Sequence, residues 1–338
     1  MNLSEIGEFG LIRRIRATLP HPHEPVILGI GDDAAAIRQK SGYLTIITSD
    51  MFLEGIHFDY SLSDSYQIGS KALLVNISDI AAMGGRPTSV LISVGLPESI
   101  STEDFDGIFN GLKESARRYG ISIVGGDTCR SESGLILSIA LLGEVEEGIM
   151  VLRSGAKKGD AIFVTGTLGD SAMGLELLKK RVRGQGSGVR TLIERHLFPN
   201  PRVEEGEVIA KNKWATSMID ISDGLTSDLC HICDESGAGA RIYKERIPIS
   251  PELKEASALF KTDPLSYALR GGEDYELLFT VSEDKVEDVM KAEIAGRPLA
   301  TMIGEIVEGE RTIIDRDGNK NYLVPSGYDH FASYLISK

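Results

Sequence analysis

The chain has 338 residues, 42% of them hydrophobic, enough for two domains with cores of their own. Its 36 basic and 50 acidic side chains leave a net charge of −14, which excludes a nucleic-acid or anionic-membrane surface, because an acidic field attracts neither. No apolar run reaches the ~20 residues of a membrane span, residues 1–16 lack the apolar core of a signal peptide, and Cys129, Cys230 and Cys233 are too few for a disulfide framework, so a cytoplasmic protein is expected.

Residues 5–18 carry apolar side chains at helical spacing, stopped by Pro20, Pro22 and Pro25. A short strand over 26–30 then runs into Gly29-Ile30-Gly31-Asp32-Asp33, a glycine turn bearing two adjacent carboxylates. Alone it reads as a solvated turn; beside other such turns it asks for a divalent cation. The β-branched run over 43–48 predicts a strand ending in Thr48-Ser49-Asp50, oxygen groups that suit a hard cation or a strand-end cap. His57 follows, and a lone histidine is by default a structural one.

Residues 71–85 read as one helix closed by Gly84-Gly85 and Pro87, with Leu73, Ile77 and Ile80 as its core stripe. Asn76, Ser78 and Asp79 interrupt that apolar surface, either on an exposed face or buried against a partner or a metal. A strand over 88–96, a helix over 101–119 capped by Ser101 or Thr102, and a strand over 121–124 follow. The last leads into a glycine loop, Gly125-Gly126-Asp127-Thr128, able to bring backbone N–H groups to phosphate oxygens beside a metal-binding acid. A strand over 135–143 closes the first half, and a break in the apolar pattern over 146–160 separates it from the second.

The second half opens with a strand over 161–165 and a glycine loop over 166–174 that lacks the Lys-Ser/Thr of a Walker A motif. In Ser217-Met218-Ile219-Asp220-Ile221-Ser222-Asp223-Gly224, strand alternation puts Asp220 and Ser222 on one face before Asp223-Gly224 turns into a helix. Cys230 and Cys233 lie in that helix and are read as buried thiols. Gly271-Gly272-Glu273-Asp274-Tyr275-Glu276 enters an apolar strand, and a loop over 325–331 carries Tyr328. Acids gathered at strand ends, glycine turns and apolar helices are not what a solvated surface gives. Several divalent ions bridging a polyphosphate explain them together.

In their order and combination, these motifs resemble those of thiamine-monophosphate kinases, whose fold is shared with aminoimidazole ribonucleotide synthetase. The resemblance covers essentially the whole chain. It implies an α/β fold with mixed sheets and flanking helices: residues 1–148 a metal- and ATP-binding, dimerising domain, and 149–338 a domain completing the ATP and substrate site. It implies a homodimer and ATP-dependent phosphorylation of thiamine monophosphate to the diphosphate with several Mg2+ ions. Asp33, Thr48, Ser49, Asp50, Asp79, Asp127, Asp220 and Asp223 would then hold metal. Gly126, Asp127, Arg153 and Ser222 would hold ATP, and His57, Glu273 and Tyr328 would face the substrate. No general base is implied, since a phosphate monoester acceptor is largely ionised at neutral pH. The alternatives are another ATP-dependent enzyme of this fold and a non-catalytic, metal-dependent nucleotide-binding dimer.

Overall fold

The computed structural model describes residues 26–28, 32–38, 42–182 and 186–328. The helix expected over 5–18, the glycines at 29 and 31 and the end of the aromatic loop lie outside the described residues. A six-stranded mixed sheet in the order β1-β2-β3-β6-β4-β5 forms the first half. Its strands are β1 (Val26–Leu28), β2 (Ala35–Arg38), β3 (Tyr43–Leu53), β4 (Arg86–Pro97), β5 (Ser122–Ser131) and β6 (Ile136–Glu146). Only the β4–β5 pair is parallel, joined by a helical crossover.

Two helices cover one face of this sheet. Helix α1 (Ser65–Ala82) starts with a capping box, in which the Asp64 carboxylate accepts the Gln67 N–H at 2.8 Å and the Gln67 side chain accepts the Asp64 N–H at 2.9 Å. Fifteen of its 18 residues are buried, because sheet strands, α2 (Thr102–Tyr119) and elements of the second half enclose it on all sides. Gly69 and Gly111 make the crossing of α1 and α2 close. A Cβ at Gly69 would stand 2.0 Å from the Ile108 carbonyl oxygen, and one at Gly111 would stand 2.1 Å from that of Tyr66. Ser101 caps α2, its hydroxyl accepting the Asp104 N–H at 3.0 Å.

The second half is built on a seven-stranded sheet in the order β15-β14-β9-β13-β7-β10-β8. In chain order its elements are β7 (Ala161–Val164), α3 (Asp170–Lys179), α4 (Ser187–Leu197), α5 (Val203–Lys211), β8 (Ala215–Asp220), α6 (Leu225–Ser236), β9 (Gly239–Tyr243), α7 (Pro251–Phe260), α8 (Pro264–Arg270), β10 (Leu277–Val281) and α9 (Val286–Lys291). A small hairpin, β11 (Glu293–Ile294) with β12 (Arg297–Pro298), precedes β13 (Thr301–Val307), β14 (Arg311–Ile314) and β15 (Lys320–Tyr322). The central strands are buried on both faces, so alternate residues serve different cores. Ile162, Val164, Ile219 and Leu278 pack with Leu225, Leu229 and Ile232 of α6. On the other face Phe163, Met218 and Phe279 pack with Ile209 of α5, Val289 of α9 and Ala82 of α1. Trp214, half-buried, lies against this second core, which joins the two halves.

Three local expectations need correction. Strand β3 continues through Thr48, Ser49 and Asp50 to Leu53, because its pairing with β6 is unbroken from Tyr43 to Leu53. Gly125 to Thr128 forms no loop; it lies inside β5, paired with β4 after a register shift at Val124, with Gly126 at φ 154°. A Cβ there would lie 1.7 Å from the Ile92 carbonyl oxygen, so close approach of the strands explains that glycine. Strand β8 ends at Asp220, leaving Ser222 in the following turn.

Candidate active site

Three carboxylates from three parts of the chain converge, two of them buried and the third, Asp79, half-buried. Asp33 precedes β2, Asp79 is in the last turn of α1 and Asp220 ends β8, and their oxygens lie within 4.8 Å of one another. Each is held from its own side. The Thr48 hydroxyl donates to Asp79 at 2.6 Å, the Ser78 hydroxyl to Asp220 at 2.6 Å, and the Arg153 guanidinium to Asp33 at 2.6 Å. The Asp32 carboxylate accepts the backbone N–H of Arg153, which ties the opening turn to the second half.

The electrostatics are unfavourable without a cation. Burial, followed by repulsion from Asp50 and Asp220, raises the Asp79 carboxyl well above its ordinary range. Burial and then Asp33 push Asp220 up to about 7, and burial and then Asp33 push Asp32 up to about 7. Asp33 also carries a buried oxygen, Oδ2, without a hydrogen-bond partner. A buried, unpartnered carboxylate oxygen among like charges fits a hard divalent cation, which takes oxygen ligands at short range.

Through Asp79 and Asp220 the cluster opens into a cleft of about 880 Å³ between the halves of the chain, with Asp33 behind them. Ser49, Asp50, Asp79, Asp220, Ser222 and Asp223 line it, as do His57, Glu273 and Tyr328. The His57 ring lies along Phe52, with centroids 5.6 Å apart, and its Nδ1 accepts the Leu53 N–H at 3.0 Å, which leaves the proton of the neutral ring on Nε2. Tyr328 is positioned by its own N–H, which donates to the Asp223 carbonyl at 3.2 Å. Gly327 permits this approach: a Cβ there would lie 1.9 Å from the same oxygen.

Glu273 enters the cleft from a strained segment. Glu273 and Tyr275 both have positive φ, 66° and 51°, while their N–H groups donate to the carbonyls of Ser222 and Ile221 at 2.7 and 2.9 Å. Its carboxylate is 2.8 Å from the Lys71 ammonium. Burial pushes the Glu273 carboxyl upward, but Lys71, His196 and His57 together outweigh it and hold the group below its ordinary value.

The structure does not bring every expected residue here. Gly126 and Asp127 lie on the exposed edge strand β5; Gly126 is in the same cross-strand row as Asp50 but three strands away, with Asp127 one residue further along. At ~4.8 Å per strand that is about 14 Å. Arg153 is committed to Asp33 beneath the cleft. Residues that sequence reasoning missed include Lys71 and His196, which line the cleft, and Asp228, which with Asp223 and His231 forms a second potential cation-binding group. The Asp228 carboxylate accepts the N–H groups of Asp223 and Gly224, at 3.2 and 3.0 Å, and so shapes that turn.

Residues 31–145 match the AIR synthase related protein N-terminal domain, and residues 157–317 match the C-terminal domain. The thiamine-monophosphate kinase of Bacillus subtilis is 39% identical over 331 residues, covering 96% of this chain and all of the relative. The chain belongs to the thiamine-monophosphate kinase family. The thiamine-monophosphate kinase of Aquifex aeolicus is also 39% identical, over 98% of this chain and all of that protein. Among solved structures, AaThiL complexed with AMPPCP and TMP superposes with a TM-score of 0.85 at 37% identity, covering 98% of this chain and 99% of that one. A HypE-HypF complex gives a TM-score of 0.72 at 23% identity, a likeness of fold alone.

Proposed function

We propose that the chain transfers the terminal phosphoryl group of ATP directly to the phosphate of thiamine monophosphate. One structural observation carries the reading: three clustered carboxylates, one with a buried, unpartnered oxygen, lie at an open cleft that Asp79 and Asp220 line and whose other walls are aromatic and ionic. In a chain of this family, the carboxylate cluster suits metal-bound polyphosphate and the rest suits an aromatic, cationic substrate.

Asp33, Asp79 and Asp220 would hold Mg2+, with Thr48, Ser49, Asp50 and Asp223 facing the same space. When bound, the metal supplies neutralisation of the repulsion between two polyanions. The protein's own residues position the reactants. Thr48 and Ser78 fix two carboxylates by hydrogen bonds, Arg153 fixes the third, and Ser222 presents itself at the turn between Asp220 and Asp223. His57 and Tyr328 offer ring faces to a thiazolium and an aminopyrimidine, and Glu273 offers a carboxylate. The acceptor phosphate is already anionic at neutral pH, so positioning dominates and no proton-abstracting residue is required.

A homodimer belongs to the same reading. Among the described residues, helices cover one face of the first sheet. Met51, Leu91, Ile123 and Val124 are 53%, 42%, 38% and 59% exposed on its strands, an apolar surface that a second copy would cover. Such a dimer gives Gly126 and Asp127 a route to ATP across the interface. Residues 1–148 would then form the dimerising, metal-binding domain and 149–338 the domain that completes the site.

Incubation with ATP, Mg2+ and thiamine monophosphate, followed by phosphorus NMR, should show thiamine diphosphate and ADP appearing together. Folded, ATP-binding protein that forms no thiamine diphosphate above a protein-free control would refute the kinase reading. Sedimentation velocity checks the dimer, and a monomer at micromolar concentration would remove the cross-interface role of Asp127.

A further inference from the structure

Away from the carboxylate cluster, about two turns along α1 from Asp79, the cleft wall carries a connected group of three polar side chains. Lys71 Nζ stands 2.8 Å from Glu273 Oε1 and 3.4 Å from His196 Nε2, and His196 Nδ1 stands 3.4 Å from Glu273 Oε2 and 3.1 Å from the Ser171 hydroxyl. The three come from α1, the strained segment before β10, and α4. Burial and then the neighbouring Lys71 drive the His196 imidazole down to about 3, so the ring is neutral. With an ammonium facing Nε2, its proton belongs on Nδ1, pointing to Ser171 and Glu273. His196 thereby accepts one Lys71 proton and Glu273 accepts a second. An ammonium has three. Lys71 is only 4% exposed, and it lines the cleft.

Distance along α1 gives this corner its meaning. Lys71, Val75 and Asp79 lie one turn apart on the face lining the cleft. Eight residues of helix span about 12 Å, so the ammonium sits about that far along the helix axis from the metal-suited carboxylates. Thiamine monophosphate has its phosphate at one end and its 4-aminopyrimidine at the other. With the phosphate at Asp79, the pyrimidine falls near Lys71. The edge of that ring carries an amino donor next to a ring-nitrogen acceptor, the complement of a carboxylate next to an ammonium.

We propose that Lys71 is a specificity-determining residue that, paired with Glu273, reads the amino edge of the pyrimidine: Lys71 donates to the ring nitrogen while Glu273 accepts from the exocyclic amine. His196 is a positioning residue that holds Lys71 from behind. This inference rests on the phosphotransfer reading above and adds to it a residue that selects the ring.

The test compares thiamine monophosphate with oxythiamine monophosphate, in which an oxo group replaces the amine and the adjacent ring nitrogen carries a proton, so donor and acceptor are exchanged. The unsubstituted protein should favour the amino substrate by roughly 100-fold or more in kcat/KM, because the analogue leaves both the ammonium and the carboxylate facing like partners. Lys71→Met should raise KM for thiamine monophosphate by roughly 10- to 100-fold, the worth of one charged hydrogen bond, with kcat at saturation nearly unchanged and the preference largely lost. Because Lys71→Met leaves the half-buried Glu273 carboxylate without its counter-ion, Lys71→Met with Glu273→Gln serves as the second variant. It carries neither charge, should fold, and should likewise have lost the preference. Retention of the full preference by either folded variant would overturn the proposal and leave Lys71 a mere counter-ion. Absence of any turnover of thiamine monophosphate by the unsubstituted protein would overturn the underlying reading instead.

Discussion

Replacing Asp220 by asparagine should stabilise the metal-free protein while disabling it. Asp220 is 3% exposed and shares its space with Asp33 and Asp79. Its carboxyl is raised from 3.8 to about 7, by burial first and Asp33 second, partly opposed by the Ser78 hydrogen bond and Arg153. The folded metal-free protein therefore holds this proton more tightly than the unfolded chain does. The resulting penalty is absent below pH ~4, grows as pH rises, and is complete above pH ~7, where the displacement corresponds to about 4 kcal/mol. Asparagine still accepts the Ser78 proton and removes the charge, but it forfeits the attraction of Arg153. A net gain of about 1 to 3 kcal/mol at pH 8 remains. Urea unfolding in EDTA measures it, and repetition with Mg2+ should invert the order, since only the unsubstituted site binds the ion with full charge. A metal-free Asp220→Asn protein less stable than the parent at pH 8, or equal gains at pH 8 and pH 4, would refute the account of the cluster as a strained, cation-seeking site.

His196 titrates with the opposite sign. Its imidazole is held at about 3 in the folded state, so its contribution is complete above pH ~6.5 and is lost progressively as pH falls toward 3. His196→Gln should therefore flatten the stability profile between pH 7 and pH 5 by up to about 2 kcal/mol, read as the difference between the two proteins so that the carboxylate cluster cancels. Gly111→Ala should destabilise the first half by about 2 to 3 kcal/mol, because the added methyl meets the Tyr66 carbonyl at 2.1 Å and the Ser70 nitrogen at 2.7 Å; the denaturation midpoint reports it. Asp50→Asn should collapse turnover without lowering the unfolding free energy of the metal-free protein, since Asp50 is only partly buried, lines the cleft and repels Asp79; urea unfolding in EDTA reports it.

The acidic turns were legible because carboxylates next to glycines and at apolar positions contradict a solvated surface. The alternation around Asp220 and the polar interruptions of α1 pointed to the residues that do converge. Strand ends were less legible. The ladder between β3 and β6 carries Thr48, Ser49 and Asp50 within a strand, and ladder length depends on a partner strand far along the chain, where Asp50 meets Ile139. Gly125-Gly126 reads as a turn because glycine supplies turns, yet here it supplies room for a neighbouring carbonyl. Lys71 and His196 left no local signal. A lysine near the start of a helix and a histidine near the end of another are ordinary surface residues until the packing of α1 against the second half buries them together.

The chain contains one tryptophan. Trp214 lies against the core that holds Ala82 of α1 together with Phe163 and Phe279, and it does not line the cleft. Its fluorescence is thus an intrinsic gauge of the seam between the halves, unmixed with direct quenching by a bound ligand. A shift in emission on adding nucleotide would mean that occupancy at the carboxylates is felt at the seam. A constant spectrum would mean that the two halves stay rigidly joined while the cleft fills.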